Sequence, residues 1–446
     1  MYIVKQNKQG KWIVIADGNK RASKAYDSKL EAITYASKRS KQENTTFRVI
    51  EKSKKHHKGI WIFLFIVVLI AIGILAFLIV TGKINLPFLN SADDDSSDDS
   101  GTVVVEGELS IHFLELGNYY AGDCVYIKAG DVDILIDAGS RASSSTTIHN
   151  YIKEYCKDGK LEYVIATHAH EDHISGFVGT KDNPGIFDLY ECEVIIDYAN
   201  RNTSSNIAKN YEQKRDEEVQ NGAKHYTAKD CIDKTNGAET EYKLTEDISF
   251  TILDQKYYHE SSSDENNYSV CLLLNYGNYN FLFTGDLEKE GEESLVERNE
   301  LPHCKVFKGG HHGSKTSSNE ALLAAITPEV VCVCCCAGSS EYTDNVDNMF
   351  PTQDFIHRVA KYTDCIYVTT LATYTIATNK NGEEYPKVNG YTSMNGNIVV
   401  TLAADGEVVT TCSNNDTLLK NTEWFNSIIV LNGIERKMRI WPENGK

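Results

Sequence analysis

Residues 59–82, GIWIFLFIVVLIAIGILAFLIVTG, run for 24 positions without a charged side chain. At about 1.5 Å of rise per helical residue, such a stretch crosses a hydrocarbon core of about 30 Å. The segment is therefore expected to span a membrane as one helix. A cleaved export signal lies at the extreme N-terminus and has a shorter apolar run. Here 58 residues come first, so the segment reads as a retained anchor.

The flanks give an orientation. Lys52, Lys54, Lys55 and Lys58 crowd the N-terminal side of the apolar run, whereas the far side leads into acidic sequence. Positive charge collects on the cytoplasmic face of a membrane. Residues 1–58 are thus expected in the cytoplasm and everything after about residue 83 outside the cell. Residues 1–58 carry 15 Lys and Arg against 5 Asp and Glu, a net +10. Residues 83–446 carry 30 against 58, a net −28. Sequence-independent binding along a nucleic-acid backbone relies on Lys and Arg displacing counterions, so this balance counts against it.

Four segments follow from these shifts. Residues 1–52 suggest a small α+β module: strands at Trp12-Ile13-Val14-Ile15 and Phe47-Arg48-Val49-Ile50, and between them a helix capped by Ser28 with Glu31 three positions on. Residues 59–82 form the anchor. Residues 83–104 include SADDDSSDDSG, only small and acidic, and make a solvated linker. Residues 105–446 alternate apolar strand-like runs with helical stretches, which indicates a layered α/β domain. The strands expected there include 111–114, 124–128, 132–136, 194–196, 270–274 and 281–283, with a helix over 147–156.

Twelve cysteines in an exported domain would ordinarily suggest disulfides. Their placement argues otherwise. Val331-Cys332-Val333-Cys334-Cys335-Cys336 reads as a buried strand in which Cys serves as a small apolar residue, and no second Cys or His pair follows it to complete a zinc finger.

The chemistry concentrates in Thr167-His168-Ala169-His170-Glu171-Asp172-His173, directly after the apolar run Tyr163-Val164-Ile165-Ala166. Imidazole and carboxylate together suit zinc, manganese and iron. A loop leaving a strand can turn such side chains toward one or two ions. Two later strand ends carry the same residue types. Phe281-Leu282-Phe283-Thr284-Gly285-Asp286 ends in a carboxylate that could bridge two ions, although Gly-Asp is also an ordinary turn. Val306-Phe307-Lys308-Gly309-Gly310-His311-His312-Gly313-Ser314-Lys315 ends in adjacent histidines flanked by glycine.

In this order the motifs resemble those of the metallo-β-lactamase-fold hydrolases, and among them the ComEC-type DNA-internalisation hydrolase domain. The likeness extends to His112-Phe113-Leu114-Glu115-Leu116-Gly117, Asp123-Cys124, Leu135-Ile136-Asp137-Ala138-Gly139, Asn267-Tyr268-Ser269-Val270 and Asn395-Gly396-Asn397. It covers most of 109–410. Three features depart from that pattern: Ser175-Gly176 stands where Gly-Gly is usual, Phe350-Pro351 where His-Pro is usual, and a single anchor replaces the polytopic channel. Residues 201–245 and 379–393 look like insertions. The N-terminal stretch GKWIVIADGNKRASKAYDSKLEAITYASKRS is similar to the small bacterial domain DUF2188, which brings no activity with it.

The resemblance implies an αββα sandwich of two β-sheets with helices outside, and a centre of two divalent ions, zinc first with manganese or iron as alternatives. His168 and His170 would hold one ion, Asp172, His173 and His312 the other, and Asp286 would lie between them. Asp197 and His259 are the candidates to complete the first site. Asp137 would orient the metal loop. Two divalent ions about 3.5–4 Å apart lower the pKa of a water between them and clamp the oxygens of an in-line displacement. Asp172 and His311 would act catalytically, with Ser314 and Lys315 as further donors to phosphate; Lys308 and Lys315 read equally well as surface lysines. The function expected is hydrolysis of a phosphodiester in nucleic acid or in a cell-envelope polymer, as phosphorylcholine esterases do. Hydrolysis of a β-lactam or lactone, and a non-catalytic sensor with a cytoplasmic partner at residues 1–52, are the alternatives.

Overall fold

A computed structural model describes residues 2–7, 11–16, 24–26, 35, 38, 39, 47–50, 109–402 and 408–445. The expected anchor at 59–82, the linker at 83–104 and most of the helix expected after Ser28 lie outside the described residues. Among the described residues no helix is long and apolar enough to cross a membrane. The chain divides into two compact units, 1–99 and 100–446.

In the first unit β1 (Tyr2–Gln6), β2 (Trp12–Ala16), β3 (Lys24–Tyr26) and β4 (Phe47–Ile50) form one sheet in the order β3-β2-β1-β4. Strands β1 and β2 pair antiparallel, and β4 pairs parallel to β1.

The second unit opens with β5 (Leu109–Phe113), β6 (Val125–Ala129) and β7 (Val132–Ile136), followed by α1 (Ser144–Ile152). Then come β8 (Lys160–Ile165), α2 (Glu171–Val178), α3 (Ile186–Leu189) and β9 (Glu191–Asp197). The span 201–245, which reads as an insertion, adds α4 (Asn206–Asn221), β10 (Lys224–Thr227), α5 (Ala228–Asp233) and β11 (Glu241–Lys243). A second sheet continues through β12 (Ile248–Ile252), β13 (Leu272–Tyr276) and β14 (Tyr279–Phe283), and after α6 (Lys289–Arg298) through β15 (Val306–Lys308). It is completed by α7 (Glu320–Ile326), β16 (Val330–Ala337), α8 (Gln353–Val359), β17 (Ile366–Thr378) and β18 (Glu384–Ser393). Last come β19 (Ile398–Leu402), β20 (Val408–Cys412), α9 (Glu423–Asn426) and the hairpin β21 (Ile428–Leu431) and β22 (Ile434–Lys437).

Two eight-stranded sheets result, with orders β10-β9-β8-β7-β6-β5-β19-β20 and β11-β12-β13-β14-β15-β16-β17-β18. Their facing sides share one apolar core, including Ile111, Phe113, Ile127, Ile165, Phe250, Phe281, Cys332 and Cys334. The outer face of the first sheet packs Leu135, Val164 and Ile195 under α1 to α4, with Ile148, Ile174, Phe177 and Tyr211 from those helices. The second sheet sets Val331, Val333 and Cys335 under α6, α7 and α8, which contribute Leu295, Leu322 and Phe355. Strand β16 shows how four of the cysteines serve as small apolar residues. It is buried along its whole length and pairs in parallel on both edges, so both of its faces need small apolar side chains. All twelve cysteines are free. The layering is helix, sheet, sheet, helix.

Candidate metal centre

The parallel strands deliver their C-terminal ends to one edge of the sandwich. Strand β7 leads to Asp137, β8 to Thr167 and the histidine loop, β14 to Asp286, and β15 to His311 and His312. Three of these side chains ride on left-handed backbone: Asp137 at φ 59°, His311 at φ 45° and His312 at φ 53°. Such a conformation costs a non-glycine residue on the order of 1–3 kcal/mol, and it persists where neighbouring structure enforces it, commonly at functional sites. Gly285, at φ 54°, lets the chain turn before Asp286; a Cβ there would meet Ser269 Oγ at 2.8 Å and Thr167 Cβ at 2.9 Å.

The histidine loop is locked to β7 by its own backbone. Ala138 N donates to His173 O at 2.8 Å, and Gly176 N donates to Ala138 O at 3.0 Å. Asp137 accepts from Thr167 N and Thr167 Oγ1, each at 2.8 Å, and its Oδ2 lies 2.7 Å from His173 Nδ1. That contact leaves His173 Nε2 facing the cluster, 3.2 Å from Asp286 Oδ2. On the other side, His312 Nδ1 donates to Cys334 O at 2.9 Å. Its Nε2 lies 3.2 Å from Asp286 Oδ2 and 3.3 Å from Asp172 Oδ2.

Ligand atoms of Asp172, His173 and His312 gather within 4.8 Å of one another, as do those of His168, His173 and Asp286. His170 joins through Nδ1, 3.0 Å from His168 Nε2. The six residues expected from sequence therefore meet at one place, and His312 rather than His311 turns into the cluster. His311 sits at the rim, with Nδ1 3.1 Å from Thr316 Oγ1 and Nε2 3.8 Å from Asp286 Oδ2.

The donor set fits divalent ions. His173 Nε2, His312 Nε2 and Asp286 Oδ1 are buried without a hydrogen-bond partner. Buried polar atoms in native proteins are almost always partnered, so the two imidazole nitrogens, each 3.2 Å from Asp286 Oδ2, indicate a ligand between them. Charge points the same way. Asp123, Asp137 and Asp286 are buried, Asp172 partly so, and the one lysine among them is Lys308. Burial by itself would raise the Asp286 pKa, but His173 and His312 outweigh it and hold the carboxyl well below its ordinary value. Burial pulls His168 well down, which keeps it the neutral imidazole that a metal requires. His168 and His170 would hold a first ion, Asp172, His173 and His312 a second, with Asp286 between them.

Three sequence-based expectations are corrected. Asp197 does not complete the first site: at the end of β9 it accepts from Arg215 and lies against His225, each at 2.8 Å, so its charge is already balanced. His259 stands on a surface turn 2.7 Å from Asp254. Beside His168 the structure instead places Ser269, Oγ to Nδ1 3.4 Å. Lys308 is neither a surface lysine nor a phosphate contact. It is 2% exposed and salt-bridged to Asp123, with Asp286 Oδ1 at 3.8 Å, and although burial lowers its pKa, those two carboxylates raise it further. Lys315 remains on the surface, bonded to Asn348. Ser314 is buried and bonds Thr316 at 3.0 Å.

Asp123 belongs behind the centre, 3.2 Å from His312 Nδ1. Its only sequence signal was its place in the stretch Asp123-Cys124. A cavity of about 410 Å³ opens onto the cluster, and its walls include Arg141, Asn266, His311, Tyr342 and Phe350.

Residues 117–187, from the segment after β5 through the histidine loop and into α3, match the metallo-β-lactamase superfamily. That stretch carries the metallo-β-lactamase match. Residues 1–57 match an uncharacterised bacterial family, DUF2188. The chain is 28% identical over 173 residues to ComE operon protein 3 of Bacillus subtilis, across 38% of the chain and 19% of that protein. It is 28% identical over 229 residues to competence protein ComA of Neisseria gonorrhoeae, across 51% of the chain and 27% of that protein. A third relative, recombination protein 2 of Haemophilus influenzae, is 38% identical over 66 residues, 15% of the chain and 8% of that protein. The match thus spans less than a third of each of these relatives. Among solved structures, human tRNase Z, short form, is 12% identical over 58% of this chain and 91% of its own, at a TM-score of 0.28. The metallo-β-lactamase SMB-1 is 16% identical over 45% of this chain and 79% of its own, also at 0.28.

Proposed function

We propose that the chain is a membrane-anchored, outward-facing, metal-dependent phosphodiesterase whose substrate class is nucleic acid. The observation that carries this reading is the convergence of His168, His170, Asp172, His173, Asp286 and His312 in one cluster beside a cavity, with buried imidazole nitrogens that have no hydrogen-bond partner. Similarity to proteins named for competence and recombination supports the substrate class, and the apolar run at 59–82 after a basic cluster supports the anchor and its orientation.

Divalent ions, when bound, stabilise charge on a phosphoryl oxygen and lower the pKa of water they hold. The chain's own residues supply the rest. His173 and His312 are oriented by Asp137 and by Cys334 O, so their Nε2 atoms are fixed before any ligand arrives. Asp172 at the cavity floor accepts a proton from the attacking water. Burial lowers the pKa of His311, and Thr316 engages its Nδ1, which leaves Nε2 at the rim for a phosphate oxygen.

One observation favours a second polymer. The net charge of −28 over residues 83–446 suits a cell-envelope phosphodiester better than a long polyanion. The deciding experiment purifies the full-length protein in detergent and measures bound metal. It then assays bis-p-nitrophenyl phosphate, single-stranded DNA and a phosphorylcholine ester against His170→Ala. Cleavage of DNA that disappears with chelation and with His170→Ala supports the proposal. Turnover of the phosphorylcholine ester alone would replace the substrate class, and stoichiometric metal with no phosphodiester turnover would sink the reading.

A further inference from the structure

Each ligand around the second ion site has a partner behind it: Asp137 for His173, Cys334 O for His312, and Lys308 near Asp286. Asp172 has one too, and it comes from elsewhere in the chain. Tyr342, on the loop after β16, donates its phenol hydrogen to Asp172 Oδ2 at 2.9 Å. That oxygen is the one that faces His312 Nε2 at 3.3 Å, and is therefore the atom that would serve as ligand to a second ion.

The loop holding Tyr342 is fastened beside it. Glu341 Oε2 accepts from Ala121 N at 2.8 Å, and Glu341 Oε1 accepts from Arg141 at 2.8 Å. Arg141 lies over the Tyr120 ring, 3.7 Å from its centroid. Tyr342 is 58% exposed and packs only loosely, its ring centroid 6.0 Å from that of Phe350. An exposed tyrosine whose hydroxyl reaches a ligand oxygen contributes little to folding and much to that oxygen's orientation.

We propose that Tyr342 is the positioning residue of Asp172, held in place by the Glu341 clamp on Ala121 and Arg141, and that it sets the affinity of the second ion site. The inference rests on the metal-centre reading above. Partners behind ligands typically change metal affinity about 10–100-fold when removed.

The test is a competition between the full-length protein and a chromogenic chelator for zinc or manganese, run on wild type, Tyr342→Phe and Glu341→Ala. Phe keeps the ring and removes the hydroxyl. Wild type is expected to take up two ions, and Tyr342→Phe to bind the second about 10–100-fold more weakly with the melting of the metal-free protein unchanged. Glu341→Ala keeps the phenol, frees the loop and is expected to shift affinity in the same direction by less. Wild-type affinity in Tyr342→Phe, with two ions bound, would overturn the role of Tyr342 and leave the metal centre standing. No ion bound by wild type would overturn both.

Discussion

Asp137 and His173 meet at 2.7 Å, Oδ2 to Nδ1, both buried, on two segments that are also zipped together through Ala138. The contact fixes which imidazole nitrogen faces the ligand cluster. Asp137→Asn leaves one acceptor and adds a donor against Thr167 or His173. We predict about 10–100-fold weaker metal binding, read by chelator competition. Unchanged affinity would show that the backbone alone orients His173.

The adjacent histidines divide the work. His312→Ala removes a side chain of the cluster and should lower bound metal by about one ion per chain. His311→Ala touches the rim and should keep both ions while turnover falls about 10²–10⁴-fold. Metal analysis beside kcat separates the two. Equal metal loss in both variants would contradict the assignment.

Gly176 is tested by stability. Its backbone passes so close to β7 that an added Cβ would lie 2.0 Å from Ala138 O. Gly176→Ala should therefore destabilise the domain by about 1–3 kcal/mol, measured by urea unfolding, because backbone rather than a flexible side chain must move. A variant of wild-type stability would mean that α2 is free to shift.

His112 makes a pH prediction away from the metal centre. It is 1% exposed, with Tyr151 Oη at 2.9 Å and Ser110 Oγ at 2.8 Å, and burial pulls its pKa down from 6.5 to about 4. Between those values the unfolded chain binds the proton and the folded chain does not. Its contribution is complete above about pH 6.5 and is lost as pH falls toward 4, by about 3 kcal/mol at most. His112→Gln should flatten the acid limb of the stability curve over that window. An identical slope in both proteins would reject the assignment.

The strands and the motif ligands were legible because they obey local rules. Apolar runs mark β7, β8 and β14, and the histidine loop, Gly285-Asp286 and His311-His312 sit at strand ends. The preference for His312 over His311 was legible only from the resemblance; in the fold His312 is turned inward by the carbonyl of Cys334, which lies on another strand. Lys308 could not be placed from sequence, because a lysine before Gly-Gly looks exposed until Asp123, 185 positions earlier, is seen against it. Asp197 and His259 misled for the converse reason. Each has the right residue type, and Arg215 and Asp254 meet them only in the fold. Tyr342 lies in a polar loop with no periodicity, and nothing in its neighbours announces the reach to Asp172.

The central claim is a two-ion hydrolytic centre. Metal analysis of the purified full-length protein, paired with bis-p-nitrophenyl phosphate turnover before and after chelation, tests it most directly. The expected result is two zinc, manganese or iron ions per chain, with activity lost on chelation and restored by adding the ion back. Less than one tenth of an ion per chain, or turnover that chelation leaves unchanged, would contradict it.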